Sequence, residues 1–73
     1  QSRASEAMEA FSKALKANPE DAQAFYGIGR IYAAKGKRES AAENFSKAIR
    51  FEKDPTKKNA IMNALFASGQ TGD

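Results

Sequence analysis

Few residues in this chain are of types that do chemistry, and their spacing narrows the chemistry further. Histidine and cysteine are absent, which removes the usual general base, the thiolate nucleophile and the common zinc ligand sets. Carboxylates remain as acid–base candidates, chiefly Glu6, Glu9, Glu39 and Glu43. Glu9 with Lys13 and Glu43 with Lys47 are four apart, the spacing at which helical side chains form surface ion pairs. Ser12-Lys13 holds the materials of serine–lysine chemistry. Neighbouring helical residues point to different faces, however, so this lysine cannot take that serine's proton. Gly27 and Gly29, in the stretch FYGIGRIY (25–32), invite comparison with a phosphate-cradling loop. Arg30 and Ile31 follow where a dinucleotide fingerprint or a Walker loop needs other spacing, and no strand precedes. No catalytic residue, no metal site and no cofactor is expected.

Cations are the other chemically capable group. Lys35, Lys37 and Arg38 bracket Gly36, and Lys57-Lys58 are adjacent further on. Twelve Lys and Arg against nine Asp and Glu leave a net charge of +3, which favours acidic partners weakly. Acids are interleaved with these cations and no aromatic is interposed among them, while basic residues near helix ends follow from the helix dipole alone. A nucleic-acid-binding helical domain using scattered basic residues is thus the alternative reading and not the leading one.

The elements that must carry these residues are helical. Met8, Phe11 and Leu15 recur at i, i+3, i+7, predicting a helix over 3–17. Asn18-Pro19-Glu20-Asp21 interrupts it. Phe25, Ile28 and Tyr32 stripe a second helix over about 21–35, with Asp21 as its N-cap and Gly36 as its left-handed stop. Ala41, Phe45 and Ala48 line a third, over about 37–51. Asp54-Pro55 opens a fourth, which runs through Ile61, Met62, Leu65 and Phe66 to Ser68, and 69–73 form a flexible tail. No apolar run approaches the roughly 18–20 residues of a membrane span, so a soluble, cytoplasmic segment without membrane contact is expected.

The chain also repeats itself. AMEAFSKALK (7–16) laid over AAENFSKAIR (41–50), an offset of 34, gives six identities and two conservative pairs in ten positions. Gly36 and Gly69 echo each other at an offset of 33, each expected to close a helix. A period of this length belongs to helix–turn–helix arrays.

These residues resemble the tetratricopeptide repeat. Phe25, Ile28-Gly29 and Tyr32 fit the first helix of its 34-residue pattern; Ala41, Phe45 and Ala48 fit the second. Ala7, Phe11, Ala14 and Pro19 match the second helix of a preceding repeat. Phe stands for the usual Trp and Ile for the usual Leu, and the proline expected near Lys53 comes at Pro55, implying a slightly lengthened junction. The resemblance implies an all-α fold of antiparallel helical hairpins stacked as an α-solenoid. In this phase, 3–17 is a second helix, 21–52 a complete repeat, and 55–68 the first helix of another repeat or a cap, so the chain reads as a segment of a longer array.

The resemblance also speaks to the glycines, each of which costs about 1 kcal/mol relative to alanine inside a helix. Family members keep small residues at the positions of Gly29, Ala41 and Ala48, where helix axes about 8–10 Å apart must approach. Gly27 stays open between a position that admits a ligand backbone and a tolerated small residue.

Function follows from the same resemblance: a non-catalytic scaffold for protein or peptide binding on the concave face, where Gln23, Tyr26, Arg30, Ala33 and Lys57 would meet the ligand. Arg30 suits an acidic or C-terminal carboxylate and Tyr26 an apolar contact with one hydrogen bond. Some family members grip chaperone tails with a Lys/Asn/Arg carboxylate clamp; Tyr26, Gly27 and Arg30 stand where that clamp wants Lys, Asn and Asn. The packing set is Phe11, Phe25, Ile28, Gly29, Tyr32, Ala41, Phe45 and Ala48. Because the first helix lacks an inner partner and the fourth an outer one, head-to-tail or swapped self-association through these two helices is expected as well.

Overall fold

The structure, a computed structural model, describes residues 3–70. Four helices follow one another: α1 (Arg3–Ala17), α2 (Ala22–Ala34), α3 (Arg38–Phe51) and α4 (Pro55–Gln70). No strand occurs among the described residues. The chain is an all-α stack in which each helix packs on the next, and the α2–α3 hairpin forms the most extensive contact.

Local chemistry sets the boundaries. The Asp21 side chain accepts from the Ala24 backbone N–H at 3.2 Å, the N-cap bond that satisfies one of the four free donors at the start of α2. At the other end Gly36 takes φ +79°, the left-handed conformation that costs glycine nothing. The Gly36 N–H then reaches the Ala33 carbonyl at 3.0 Å and the Lys37 N–H the Tyr32 carbonyl at 2.9 Å, a Schellman closure. Pro55 occupies the first position of α4, behind an Asp54 side chain that accepts from the Thr56 N–H at 2.9 Å.

Two expectations about α4 need correction. The helix does not stop at Ser68 but continues through Gly69 to Gln70, so Gly69 lies inside a helix and the turn at Gly36 has no counterpart there. The rest of the expected tail, 71–73, falls outside the described residues. Nor does Pro55 lengthen the repeat junction. The described α4 residues withdrawn from solvent are Lys58, Ile61, Ala64 and Leu65, which sit 34 positions after Ala24, Gly27, Arg30 and Ile31. The 34-residue register therefore carries through the turn, and proline is accommodated at the first position of α4, which starts one residue before the position matching Ala22.

The core is small. Ala41, Phe45 and Ala48 of α3 and Ile61 of α4 are buried together, with Phe25, Tyr26, Tyr32, Ile49, Ala64 and Leu65 half-buried around them. Small residues on α3 let α2 and α4 approach from either side, and Phe45 fills the space between them. By contrast, α1 buries no residue fully: Met8, Phe11 and Leu15 are each half-buried.

Candidate functional site

Helix α2 is the element whose sides are most fully assigned. Toward α3 it presents Phe25, which stacks on Phe51 with ring centroids 5.9 Å apart and 26° between planes. On the same side, a Cβ placed on Gly29 would lie 2.7 Å from Cδ1 of Phe45, closer than carbon atoms tolerate. Glycine at 29 is thus what lets the fully buried Phe45 ring lie against the α2 backbone.

Toward α1, Gly27 plays the same part for another ring. A Cβ there would collide with the Phe11 side chain. Neither of the two readings left open for Gly27 describes this, since the ring of the preceding helix already occupies the space. Both glycines of FYGIGRIY are packing slots, one for Phe11 and one for Phe45, 34 residues apart. The repeat seen in the sequence is the repeat of these two rings.

What remains of α2 is the stripe of Gln23, Tyr26, Arg30 and Ala33, spaced by three, four and three residues. Gln23, Arg30 and Ala33 are exposed and Tyr26 is half-buried. The structure joins Tyr26 and Arg30 closely: the Arg30 guanidinium carbon stands 5.8 Å from the centroid of the Tyr26 ring, within cation–π range. That ring in turn packs on Phe45 with centroids 5.8 Å apart and planes at 45°. Arg30 is therefore held over a ring anchored in the core and, among the described residues, has no carboxylate partner.

Gln23 is engaged differently. Its side-chain amide donates to Oε1 of Glu52 at 3.2 Å, while Oε2 of Glu52 accepts from the Asp54 N–H at 3.1 Å. One carboxylate thereby ties the start of α2 to the α3–α4 turn. Lys57 is exposed in the first turn of α4, and no hydrogen bond or ion pair joins it to the α2 stripe. Of the two i, i+4 pairs, Glu43 and Lys47 meet at 3.9 Å, and Lys47 also lies 5.6 Å from the Phe25 ring centroid. Glu9 and Lys13 do not close.

Beside the stripe, between α1 and α2, runs a groove of about 330 Å³. Its floor includes Ala7, Phe11, Gly27 and Ile31, and its charged lining residues are Arg30 and Lys35. Glu52 and Ile31 did not stand out in the sequence, and Lys35 did so only as one of the cations around Gly36. The Gln23–Glu52 bond spans 29 residues, and no local spacing could have revealed it.

This geometry is of hairpins stacked at a 34-residue period, with a glycine slot in the contacts of α2 with α1 and with α3. Residues 1–57 match the tetratricopeptide repeat family. The chain belongs to that family. No curated protein and no solved structure matches it. Tetratricopeptide repeats are in general non-catalytic scaffolds for protein–protein interaction. Among the described residues no three acids cluster so as to hold a metal ion, and no helix is long and apolar enough to cross a membrane.

Proposed function

We propose that this tetratricopeptide segment binds an acidic peptide or protein segment along the exposed stripe of α2. The observation that supports this most is Arg30: exposed, unpaired with any carboxylate of the described residues, and held over Tyr26, whose ring is fixed by Phe45. A guanidinium already ordered over an aromatic face loses less conformational entropy when it forks onto a carboxylate than a free side chain would. Tyr26, half-buried, adds an apolar contact with one hydrogen bond, and Ala33 on the same stripe lets a backbone pass close to α2. Lys57 adds charge from α4 without sharing the Tyr26 platform. Gln23 takes part only if the ligand displaces Glu52, so it is the weakest member of the set.

The test compares two charge reversals against a fluorescein-labelled, glutamate-rich peptide with a free C-terminal carboxylate. Arg30→Glu should weaken binding at least about tenfold, roughly 1.4 kcal/mol. Lys13→Glu, an identical change of net charge on the exposed side of α1, should leave affinity within about twofold. Equal losses would mean diffuse attraction with no site on α2. A salt titration separates this reading from nucleic-acid binding: a few carboxylate contacts give a shallow dependence, whereas release of counterions from a phosphate backbone gives a slope near −0.9 per phosphate neutralised.

A further inference from the structure

The stripe of α2 has a second ordered charge at its other end. Glu52 is half-buried just after α3, and each of its carboxylate oxygens accepts one hydrogen bond: Oε1 from the Gln23 amide at 3.2 Å and Oε2 from the Asp54 N–H at 3.1 Å. Both donors are neutral. A carboxylate offers about four lone-pair sites, so about two remain open. The negative charge is also unmatched, because among the described residues no cation pairs with Glu52, although Lys53 and Lys57 are exposed and close in sequence.

Arg30 is the opposite case. Its guanidinium stands over the Tyr26 ring and pairs with no carboxylate of the described residues. Gln23, which holds Glu52, and Arg30 are seven residues apart on one helix, a rise of about 10 Å, and an extended peptide covers that span in about three residues. Each charge is positioned before a ligand arrives, so each loses little conformational freedom on taking up its counter-charge. A ligand bearing acids alone would gain at Arg30 and be repelled at Glu52. We infer that the ligand of the α2 stripe carries both signs of charge: a carboxylate that docks on Arg30 and, about three residues away, a lysine or arginine that docks on Glu52. This rests on the reading of α2 as the ligand surface and adds the charge pattern of the ligand to it. Gln23 then acts by holding Glu52 in place, with no need for its displacement.

Fluorescence anisotropy tests the pattern with labelled peptides that end in Lys-Ala-Ala-Glu, Gln-Ala-Ala-Glu or Glu-Ala-Ala-Glu, otherwise identical and each with a free C-terminal carboxylate. The net charge of +3 would by itself favour the most acidic peptide. The wild-type chain should instead bind the lysine peptide about fivefold more tightly than the glutamate peptide, with the glutamine peptide between them. Moving the lysine next to the terminal glutamate should remove the gain, since the two sites are about 10 Å apart. Glu52→Gln should bring the lysine and glutamine peptides to within about twofold of each other, and Glu52→Lys should invert the ranking. Arg30→Glu should weaken all three alike, because all share the carboxylates that it meets.

A wild-type chain that binds the glutamate peptide as tightly as the lysine peptide would overturn the inference, and so would a Glu52→Gln chain that keeps the lysine preference. In both cases a persisting loss in Arg30→Glu would leave the α2 surface standing, whereas no loss there removes the surface and the charge pattern together. If Glu52→Lys lowers the unfolding midpoint by breaking the tie to Gln23, Glu52→Gln carries the test, since its carbonyl oxygen still accepts from Gln23.

Discussion

Gly27 and Gly29 both forbid a Cβ, yet they need not respond alike to receiving one. Alanine improves helix propensity at either position by about 1 kcal/mol. The steric term decides the sign. At Gly29 the opposing ring belongs to Phe45, which is 1% exposed and hemmed in by Ala41, Ala48 and Ile61, so it cannot swing away. At Gly27 the ring is that of Phe11, half-buried on a helix with no fully buried residue, and it can rotate toward the open groove. Gly29→Ala should therefore destabilise by about 1–3 kcal/mol and Gly29→Leu by more, whereas Gly27→Ala should change stability by less than about 1 kcal/mol. Denaturant midpoints of the three variants check this, and equal losses at the two positions would show that Phe11 is held as firmly as Phe45. The two residues also differ in how they could be read from sequence. The repeat pattern marks Gly29 as a close-approach position because its partner belongs to the same repeat. Gly27 answers to the preceding helix, at a position where α4 has isoleucine, so no fixed residue type flags it.

At the scale of elements, the order and type of the helices were legible because each start and stop is written in local chemistry. Asp21, Gly36 and Pro55 act within one turn of the boundary they set. The run of α4 past Gly69 was not legible, since glycine permits a left-handed stop without imposing one. At Gly36 the stop is completed by the Lys37 N–H reaching back to Tyr32. Legibility ended as well where contacts join distant residues, as at Gln23 and Glu52. Packing also ranks the helices by stability. Helix α1 touches only α2 and buries nothing fully, whereas α3 is covered by α2 on one side and α4 on the other. Local opening free energy tracks buried apolar contact. Native-state hydrogen exchange should accordingly find the amides of α1 exchanging fastest, those of α4 next, and those of α2 and α3 near Gly29 and Phe45 slowest. Comparable protection in α1 and α3 would mean that some contact on the half-buried Met8–Phe11–Leu15 side outweighs what its burial indicates.

The whole molecule hangs on very little apolar volume. Of the seven buried hydrophobic residues among those described, Ala22, Ala24, Ile28, Ala41, Phe45, Ala48 and Ile61, four are alanine, so most of the filled space comes from three side chains. Phe45 is the one shared by every interface of the hairpin and its neighbour: it lies in the Gly29 slot, packs under Tyr26, and clusters with Ile61 of α4. Truncating a buried phenylalanine to alanine costs about 3–5 kcal/mol, and a chain of this size without disulfide or metal commonly has only about 3–5 kcal/mol in total. Those two quantities being equal, Phe45→Ala should abolish cooperative folding and not merely lower the midpoint. Far-UV circular dichroism at 25 °C should show most of the helical signal lost, with no sigmoidal transition on heating. Phe66→Ala removes a side chain of the same size from a position that is 66% exposed and should leave the melt nearly unchanged, which excludes a general intolerance of aromatic loss. The consequence reaches the proposed ligand surface too, because the platform that holds Arg30 is Tyr26 resting on Phe45. A Phe45→Ala chain that still melted cooperatively would place the stability elsewhere, and its Arg30 would then lose its fixed position without loss of the fold.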